Sequence, residues 1–342
     1  MASPARPPLA ITMGEPAGIG GEILLKAWAS EGASLPLLFV IDDKHRLQKI
    51  ADNLGLNIEL TDYSADSAAW ADRPEALRVV HSPLACHQPP GILVPENAKA
   101  VVASISRAVE MTQTGKAAGV VTNPIQKSAL YQAGFPYPGH TEFLASLSDP
   151  APVPVMMLAC DQLRVVPVTI HLSLRDALTA LSTDRIIEQT QITARALKRD
   201  FGIDNPHLAI AGLNPHAGEE GSMGTEEQTI IAPAIQALQQ SGLNVSGPHP
   251  PDTLFSARAR QTYDVAICMY HDQALIPIKT LDFDGGVNIT LGLDFIRTSP
   301  DHGTALDIAG SGQASERSLV AAIRMAARMA AHRHNSKEPG ND

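Results

Sequence analysis

The sequence predicts an α/β fold in two domains around a largely parallel sheet, and three observations predict it. Short apolar runs alternate with segments of helical composition, and glycine, proline, asparagine or aspartate closes most of the runs. The chain has 342 residues, and at roughly 150 residues per domain that is enough for two cores. The first element is an apolar run at 9–13, stopped by Gly14-Glu15-Pro16-Ala17-Gly18-Ile19-Gly20-Gly21, with helical composition over 22–30. A second strand at 37–41 ends at Asp42-Asp43 and leads into a helix over 44–53 and a short run at 57–60. Residues 61–95 are richer in Pro, Ser and Asp, which predicts irregular structure around a strand at 77–80. The spacing of Val101, Val102, Ile105, Ala108 and Val109 predicts a helix over 97–114, and 118–122 reads as a buried strand closed by Asn123-Pro124. A second series follows: strands at 153–159 and 163–169, a long helix at 183–200, a strand at 208–213, a helix at 226–241 and a strand at 263–269. The last strands are 287–291 and 295–298, and Ile323, Met325 and Met329 belong to a final amphipathic helix over 315–331. The polar residues from His332 onward, with Pro339-Gly340, predict a frayed tail. No repeat of fixed period and no coiled-coil heptad is visible.

Hydrophobic residues make up 44% and charged residues 18%, a balance that excludes intrinsic disorder as the default state. With 26 Lys and Arg against 36 Asp and Glu the net charge is −10, which disfavours nonspecific binding to nucleic acid or to an anionic membrane. Any anionic ligand must then be held by local positive groups. Cys86, Cys160 and Cys268 are widely spaced and form no CxxC pair, against a disulfide framework or a structural zinc knuckle. Residues 1–8 carry one Arg and no apolar stretch, and apolar runs such as 37–41 are far shorter than the ~20 residues of a membrane span. The expectation is a soluble, cytoplasmic protein with neither nucleic-acid nor membrane partners.

The first glycine cluster follows a strand, opens a helix and precedes Asp42 at the next strand end, as a dinucleotide fingerprint would. The pattern G-x-G-x-x-G from Gly18 nevertheless places Ile23 where the third glycine belongs, which leaves a turn that needs flexible glycines. The histidines say more. His171, His216 and His271 each stand at, or a few residues past, the end of an apolar run, and parallel strand ends gather on one sheet edge. Three neutral imidazoles suit Zn²⁺, Co²⁺ or another borderline divalent ion with positions open for substrate; the same placement also suits three unrelated polar residues where strands give way to loops. Asp252 and Asp272 can orient an imidazole or accept a proton, or simply be solvated. In Pro138-Gly139-His140-Thr141-Glu142, Thr141 can cap a helix beginning near Glu142, whose N-terminus would favour an anion. Lys279, Asn288 and Arg297 lie near apolar segments of an acidic chain, where Lys and Arg can bind phosphate or belong to the surface.

Taken together and in order, GEPAGIG at 14–20, PGHTEF at 138–143, HLSLRDAL at 171–178, GLNPHAGE at 212–219, MGTEE at 223–227, PPDTLF at 250–255, MYHDQ at 269–273, GVNITLG at 286–292 and FIRTSPDHGTALDIAG at 295–310 resemble the 4-hydroxythreonine-4-phosphate dehydrogenase family of vitamin B6 biosynthesis. The resemblance implies an isocitrate/isopropylmalate dehydrogenase-like fold with a cleft between two domains and no Rossmann fingerprint. The expected division is a first domain of 1–125 plus 296–335, a second of 126–295 carrying the metal histidines and a dimer interface, and a tail at 336–342. The implied reaction is NAD-dependent, metal-assisted oxidation of 4-phosphooxy-L-threonine at C3, then decarboxylation to 3-amino-2-oxopropyl phosphate. His171, His216 and His271 are then the metal ligands, and His140, Thr141, Lys279, Asn288 and Arg297 bind substrate. Asp252, Asp272 and Lys279 are the candidate catalytic groups. The segment at 302–310 is similar to the loop that holds the adenosine end of NAD in isopropylmalate dehydrogenases, which assigns His302, Gly303, Thr304, Ala305 and Asp307 to cofactor. The implied cofactors are NAD, with NADP as an alternative, and one divalent ion per site (Zn²⁺, Mg²⁺, Co²⁺ or Mn²⁺). The implied assembly is a homodimer whose active site is completed by the partner. Two rivals are a sister dehydrogenase acting on 4-phospho-D-threonate or 4-phospho-D-erythronate, and a non-catalytic ligand-binding protein; the three histidines kept together with the Lys/Asn/Arg set argue against the latter.

Overall fold

The computed structural model describes residues 7–65, 75–137, 139–148 and 150–335; residues 1–6, Pro138 and the expected tail at 336–342 lie outside the described residues. In chain order the strands are β1 (Leu9–Thr12), β2 (Leu38–Asp42), β3 (Leu60–Asp62), β4 (Leu77–His81), β5 (Gly119–Val121), β6 (Val155–Cys160), β7 (Leu163–Pro167), β8 (Leu208–Ala211), β9 (Val245–His249), β10 (Val265–Cys268), β11 (Val287–Leu291) and β12 (Arg297–Pro300). Contacts separate two units, Met1–Pro154 with Leu293–Ala330 and Val155–Gly292 with Ala331–Asp342.

The first unit orders its strands β3-β4-β2-β1-β5-β12, every neighbouring pair parallel. β1 and β2 are buried along their whole length, which is why their sequences are continuous apolar runs rather than alternating ones. The helix Lys44–Leu54 starts where the Asp43 carboxylate accepts from the N–H groups of His45 and Arg46, and it stops at Gly55 in the left-handed conformation. The second unit orders its strands β11-β6-β7-β10-β8-β9, antiparallel across β11/β6 and β6/β7 and parallel from β7 to β9. Ser182 caps the helix Thr183–Phe201 by accepting from Arg185 N–H, and Gly202 ends it. Cys160 and Cys268 are buried in this unit's core and Cys86 is exposed; none is disulfide-bonded.

The α/β expectation is borne out, and several elements differ from their expected places. The contact division falls after Pro154, not after 125, because the helices Lys127–Gln132 and His140–Ser146 bury Leu130, Phe143 and Leu144 with Ala10, Phe39 and Ile105 of the first unit. Thr141 is no cap: Gly139 is the N-cap, without a side-chain bond, and Thr141 lies inside the first turn. The helix expected over 226–241 is one π-helical turn, Glu227–Ile231, followed by the α-helix Ala232–Gln240. β9 has no clear strand pattern in the sequence, because Gly247-Pro248 breaks its alternation, which an edge strand tolerates. The helix His271–Leu281 has no clear helical pattern in the sequence, because Pro277 interrupts it.

Candidate active site

Parallel pairing decides which histidines meet. β10 lies between β7 and β8, so the loops leaving all three strands emerge on one edge of the second unit's sheet. Beyond the strands, Val168 N–H donates to Cys268 O at 2.7 Å, and the buried Thr169 Oγ1 donates to Met269 O at 2.8 Å. These bonds carry the two loops forward together to His171 and His271, whose rings stand 5.9 Å apart. They flank a cavity of about 230 Å³ that Thr169, Leu174, Tyr270 and Asp272 also line. His271 Nδ1 is 2.7 Å from Asp272 Oδ1. An ionised carboxylate only accepts, so this contact puts the proton on Nδ1 and leaves the Nε2 lone pair for a ligand. An imidazole held in this way suits a borderline divalent cation.

His216 emerges on the same edge after β8, in a left-handed loop, and is exposed. It does not line the cavity between His171 and His271. Among the described residues no group of three or more His, Cys, Asp or Glu side chains is placed to hold a metal. Asp252 is exposed in the short helix Pro251–Leu254, and Lys279 lies half-buried with Nζ 5.4 Å from the centre of the Phe283 ring. Asn288 sits in β11 opposite Leu158.

A second cluster belongs to the first unit. Arg297 opens β12 and is 4% exposed, and its Nε and Nη2 donate to Thr122 Oγ1 at 3.1 and 2.7 Å. Burial lowers its pKa to about 10, so it stays cationic at neutral pH. Burial first, then the cations of Arg297 and Lys127, hold His140 well below the usual imidazole range. His140 is therefore neutral, and its buried Nε2 has no hydrogen-bond partner among the described residues. An orphaned imidazole nitrogen beside two cations can receive an anion that also accepts or donates a hydrogen bond.

The glycine turn packs against the segment expected to hold cofactor. Ile19 N–H donates to Thr304 O at 3.0 Å, and a Cβ on Gly18 would lie 2.8 Å from that oxygen, so only glycine fits there. Glu22 accepts from Gly310 N–H at 2.9 Å and Ala314 N–H at 3.3 Å, which ties the segment to the helix Gly20–Glu31. Thr304 is buried, Ala305 has φ +44°, His302 Nδ1 lies 3.0 Å from Gly303 O, and Gly303 and Asp307 are exposed. Gly18, Glu22 and Gly310 line a cavity of about 380 Å³ with Arg46, Lys49 and His87. Asp42, placed like the acid of a dinucleotide fingerprint, is instead buried against Arg46 at 2.9 and 2.8 Å, and Arg46 also donates to Pro16 O. Burial pushes the Asp42 carboxyl up and Arg46 opposes the rise.

Four further residues that contact these side chains or their loops carry no clear signal in the sequence. Gln273 accepts from Met269 N–H at 2.6 Å and donates to Gly212 O at 2.7 Å, joining the ends of β10 and β8. It follows Asp272 within MYHDQ, and Glu227, whose carboxylate accepts from Leu213 N–H and Asn214 N–H, closes MGTEE, so the motifs contain both residues without revealing these contacts. Lys127 and Thr122 carried no signal, since their importance comes from what folds against them.

A family model, pyridoxal phosphate biosynthetic protein PdxA, matches residues 35–326. The chain belongs to the PdxA family. A PdxA relative from Bradyrhizobium diazoefficiens, a 4-hydroxythreonine-4-phosphate dehydrogenase, is 52% identical over 97% of this chain and 99% of its own. The solved 4-hydroxythreonine-4-phosphate dehydrogenase of Klebsiella pneumoniae has a TM-score of 0.85 at 39% identity, covering 95% of this chain and 99% of that one. A terephthalate 1,2-cis-dihydrodiol dehydrogenase from Burkholderia xenovorans is more distant, with a TM-score of 0.64 at 26% identity over 94% of this chain and 98% of its own. No helix of the described residues is long and apolar enough to cross a membrane.

Proposed function

We propose that this PdxA-family enzyme is a 4-hydroxythreonine-4-phosphate dehydrogenase. It would oxidise 4-phosphooxy-L-threonine at C3, after which the β-keto acid loses CO₂ to give 3-amino-2-oxopropyl phosphate. The observation that carries the reading is the meeting of His171 and His271 at the ends of neighbouring parallel strands, in a chain 52% identical over 97% of its length to a protein of that name.

The dehydrogenase family implies a nicotinamide cofactor and a divalent ion. His171, His216 and His271 would hold the ion, which when bound stabilises negative charge developing on a substrate hydroxyl. The nicotinamide supplies the oxidant, NAD or NADP. The segment from His302 to Asp307, buttressed by Gly18 and Glu22, is the protein's surface for its adenosine end. Arg297 and Lys127 provide fixed positive charge for the substrate's phosphate, with His140 as neutral hydrogen-bonding partner and Thr141 beside it. In the second unit, Lys279 and Asn288 are the candidate substrate contacts. Asp272 holds the His271 imidazole in one tautomer, and Asp252, exposed and solvated, is available to take a proton. Binding energy from the phosphate would be used to position the reacting carbon.

The assembly proposed is a homodimer in which a histidine of one subunit completes the metal set of the other. The arrangement within one chain, a close pair with the third histidine apart, is in keeping with this.

The test is NAD⁺ reduction on a panel of phosphorylated acids: 4-phosphooxy-L-threonine, 4-phospho-D-threonate and 4-phospho-D-erythronate, each with and without chelator. Turnover of the amino acid alone, abolished by chelation and restored by Zn²⁺, Co²⁺, Mn²⁺ or Mg²⁺, is expected. Preference for a sugar-acid phosphate, or full activity in protein shown metal-free by elemental analysis, would overturn the reading.

A further inference from the structure

One buried carboxylate holds the loop that carries His216. His216, Ala217, Gly218, Glu219 and Glu220 follow one another with φ of +53°, +54°, +79°, +41° and +57°. The Cβ of an L-residue crowds this left-handed region, so a run in which only Gly218 lacks one persists only where its surroundings impose it. Glu227 supplies those surroundings. Its Oε1 accepts from Leu213 N–H and Asn214 N–H, both at 2.7 Å, and its Oε2 accepts from Asn214 Nδ2 at 2.9 Å. Asn214 O in turn accepts from Ala217 N–H at 3.1 Å, which fixes the start of the left-handed turn. Gly218 closes the loop over the same carboxylate, where a Cβ would lie 2.6 Å from Glu227 Oε2.

Glu227 is 4% exposed and makes no ion pair among the described residues. Its burial is met by donors from the histidine loop instead. It opens the π-helical turn Glu227–Ile231, an irregularity often found at functional sites. A carboxylate is the side chain this position needs, because one oxygen must accept two backbone N–H groups while the other accepts an amide. Glutamine would keep the shape and the first oxygen, but would turn an NH₂ toward the NH₂ of Asn214.

We propose that Glu227 is the positioning residue for His216: it gathers the amides of Leu213 and Asn214 and so sets the turn that presents the imidazole to the metal. The proposal rests on the reading of His216 as a metal ligand.

The test uses the full chain, stripped of metal and titrated with Co²⁺, reading both the affinity and the visible ligand-field bands. Glu227→Gln and His216→Ala should each weaken Co²⁺ binding roughly tenfold or more and alter the bands. The double variant should bind no more weakly than His216→Ala alone, because Glu227 acts only through that histidine. A folded Glu227→Gln protein that binds Co²⁺ within about twofold of wild type overturns the proposal, as does a double variant in which the two losses multiply. If Glu227→Gln does not fold, Glu227→Asp is judged by the same criteria. If His216→Ala itself binds Co²⁺ like wild type, the ligand reading fails, and that outcome is distinct from failure of Glu227 alone.

Discussion

Replacing Arg297 with alanine removes a cation that the fold keeps away from water. Its guanidinium is 4% exposed, anchored on Thr122 Oγ1 at 3.1 and 2.7 Å, and still charged at neutral pH although burial lowers its pKa to about 10. A charge-assisted bond from such a group is worth roughly 1.5–3 kcal/mol, since solvent screening that would erase a surface contact is largely absent. At about 1.4 kcal/mol per factor of ten, KM for the phosphorylated substrate should rise about 10- to 150-fold. Arg297→Lys keeps the charge without the planar fork and should fall between. A second readout is independent of turnover. Burial, Arg297 and Lys127, in that order, depress the His140 pKa. Without Arg297 the imidazole should titrate at higher pH than in wild type, though still below an exposed histidine because burial and Lys127 remain. Steady-state kinetics and NMR titration of His140 are the measurements. A folded Arg297→Ala protein with KM within about twofold of wild type, or with His140 titrating as before, would refute the reasoning.

Three further outcomes are expected. Alanine variants of His171, His216 and His271, mixed in pairs after demonstrated subunit exchange, should recover roughly a quarter of wild-type activity in two pairings and none in the third, which identifies the two ligands donated by one chain; recovery in no pairing contradicts a shared site. Asp200 is buried between the guanidinium groups of Arg199 and Arg333, at 2.7–2.9 Å, and its carboxyl is held below the ordinary 3.8 although burial, the largest influence, raises it. Its contribution is thus present above that value and lost as pH falls through the lower folded one; Asp200→Asn should cost about 3 kcal/mol in denaturant at pH 7 and flatten the acid limb, and equal stability would exclude it. Gly18→Ala would push a methyl to 2.8 Å from Thr304 O, so NADH binding followed by fluorescence should weaken; unchanged binding would detach that segment from the cofactor.

The α/β class was legible because strands buried on both faces, such as Ala10 with its neighbours in β1 and Ile267 in β10, leave runs too apolar for a loop and too short for a helix. The histidines were legible as strand-end residues, and the ordered motifs carried the family. Asp42 was legible only as an ambiguity, since an acid at a strand end serves a ribose or an internal arginine equally well, and Arg46 four residues later settled it. Thr141 misled because composition marks a helix start to within a residue or two, while capping depends on which residue actually has extended backbone, here Gly139.

By itself the sequence determined the period of each element, the chemistry of its donors and the absence of a third fingerprint glycine, because these are properties of neighbours along the chain. The tertiary structure alone decided that His171 rather than His216 stands beside His271, that Lys127 and Arg297 both face His140, and that Glu227 takes the amides of Leu213 and Asn214. Each of these depends on strand order or on the burial of one segment by another. Residues tens or hundreds of positions apart become neighbours only when β10 is laid between β7 and β8, or when β12 is laid beside β5, and no local pattern records that choice.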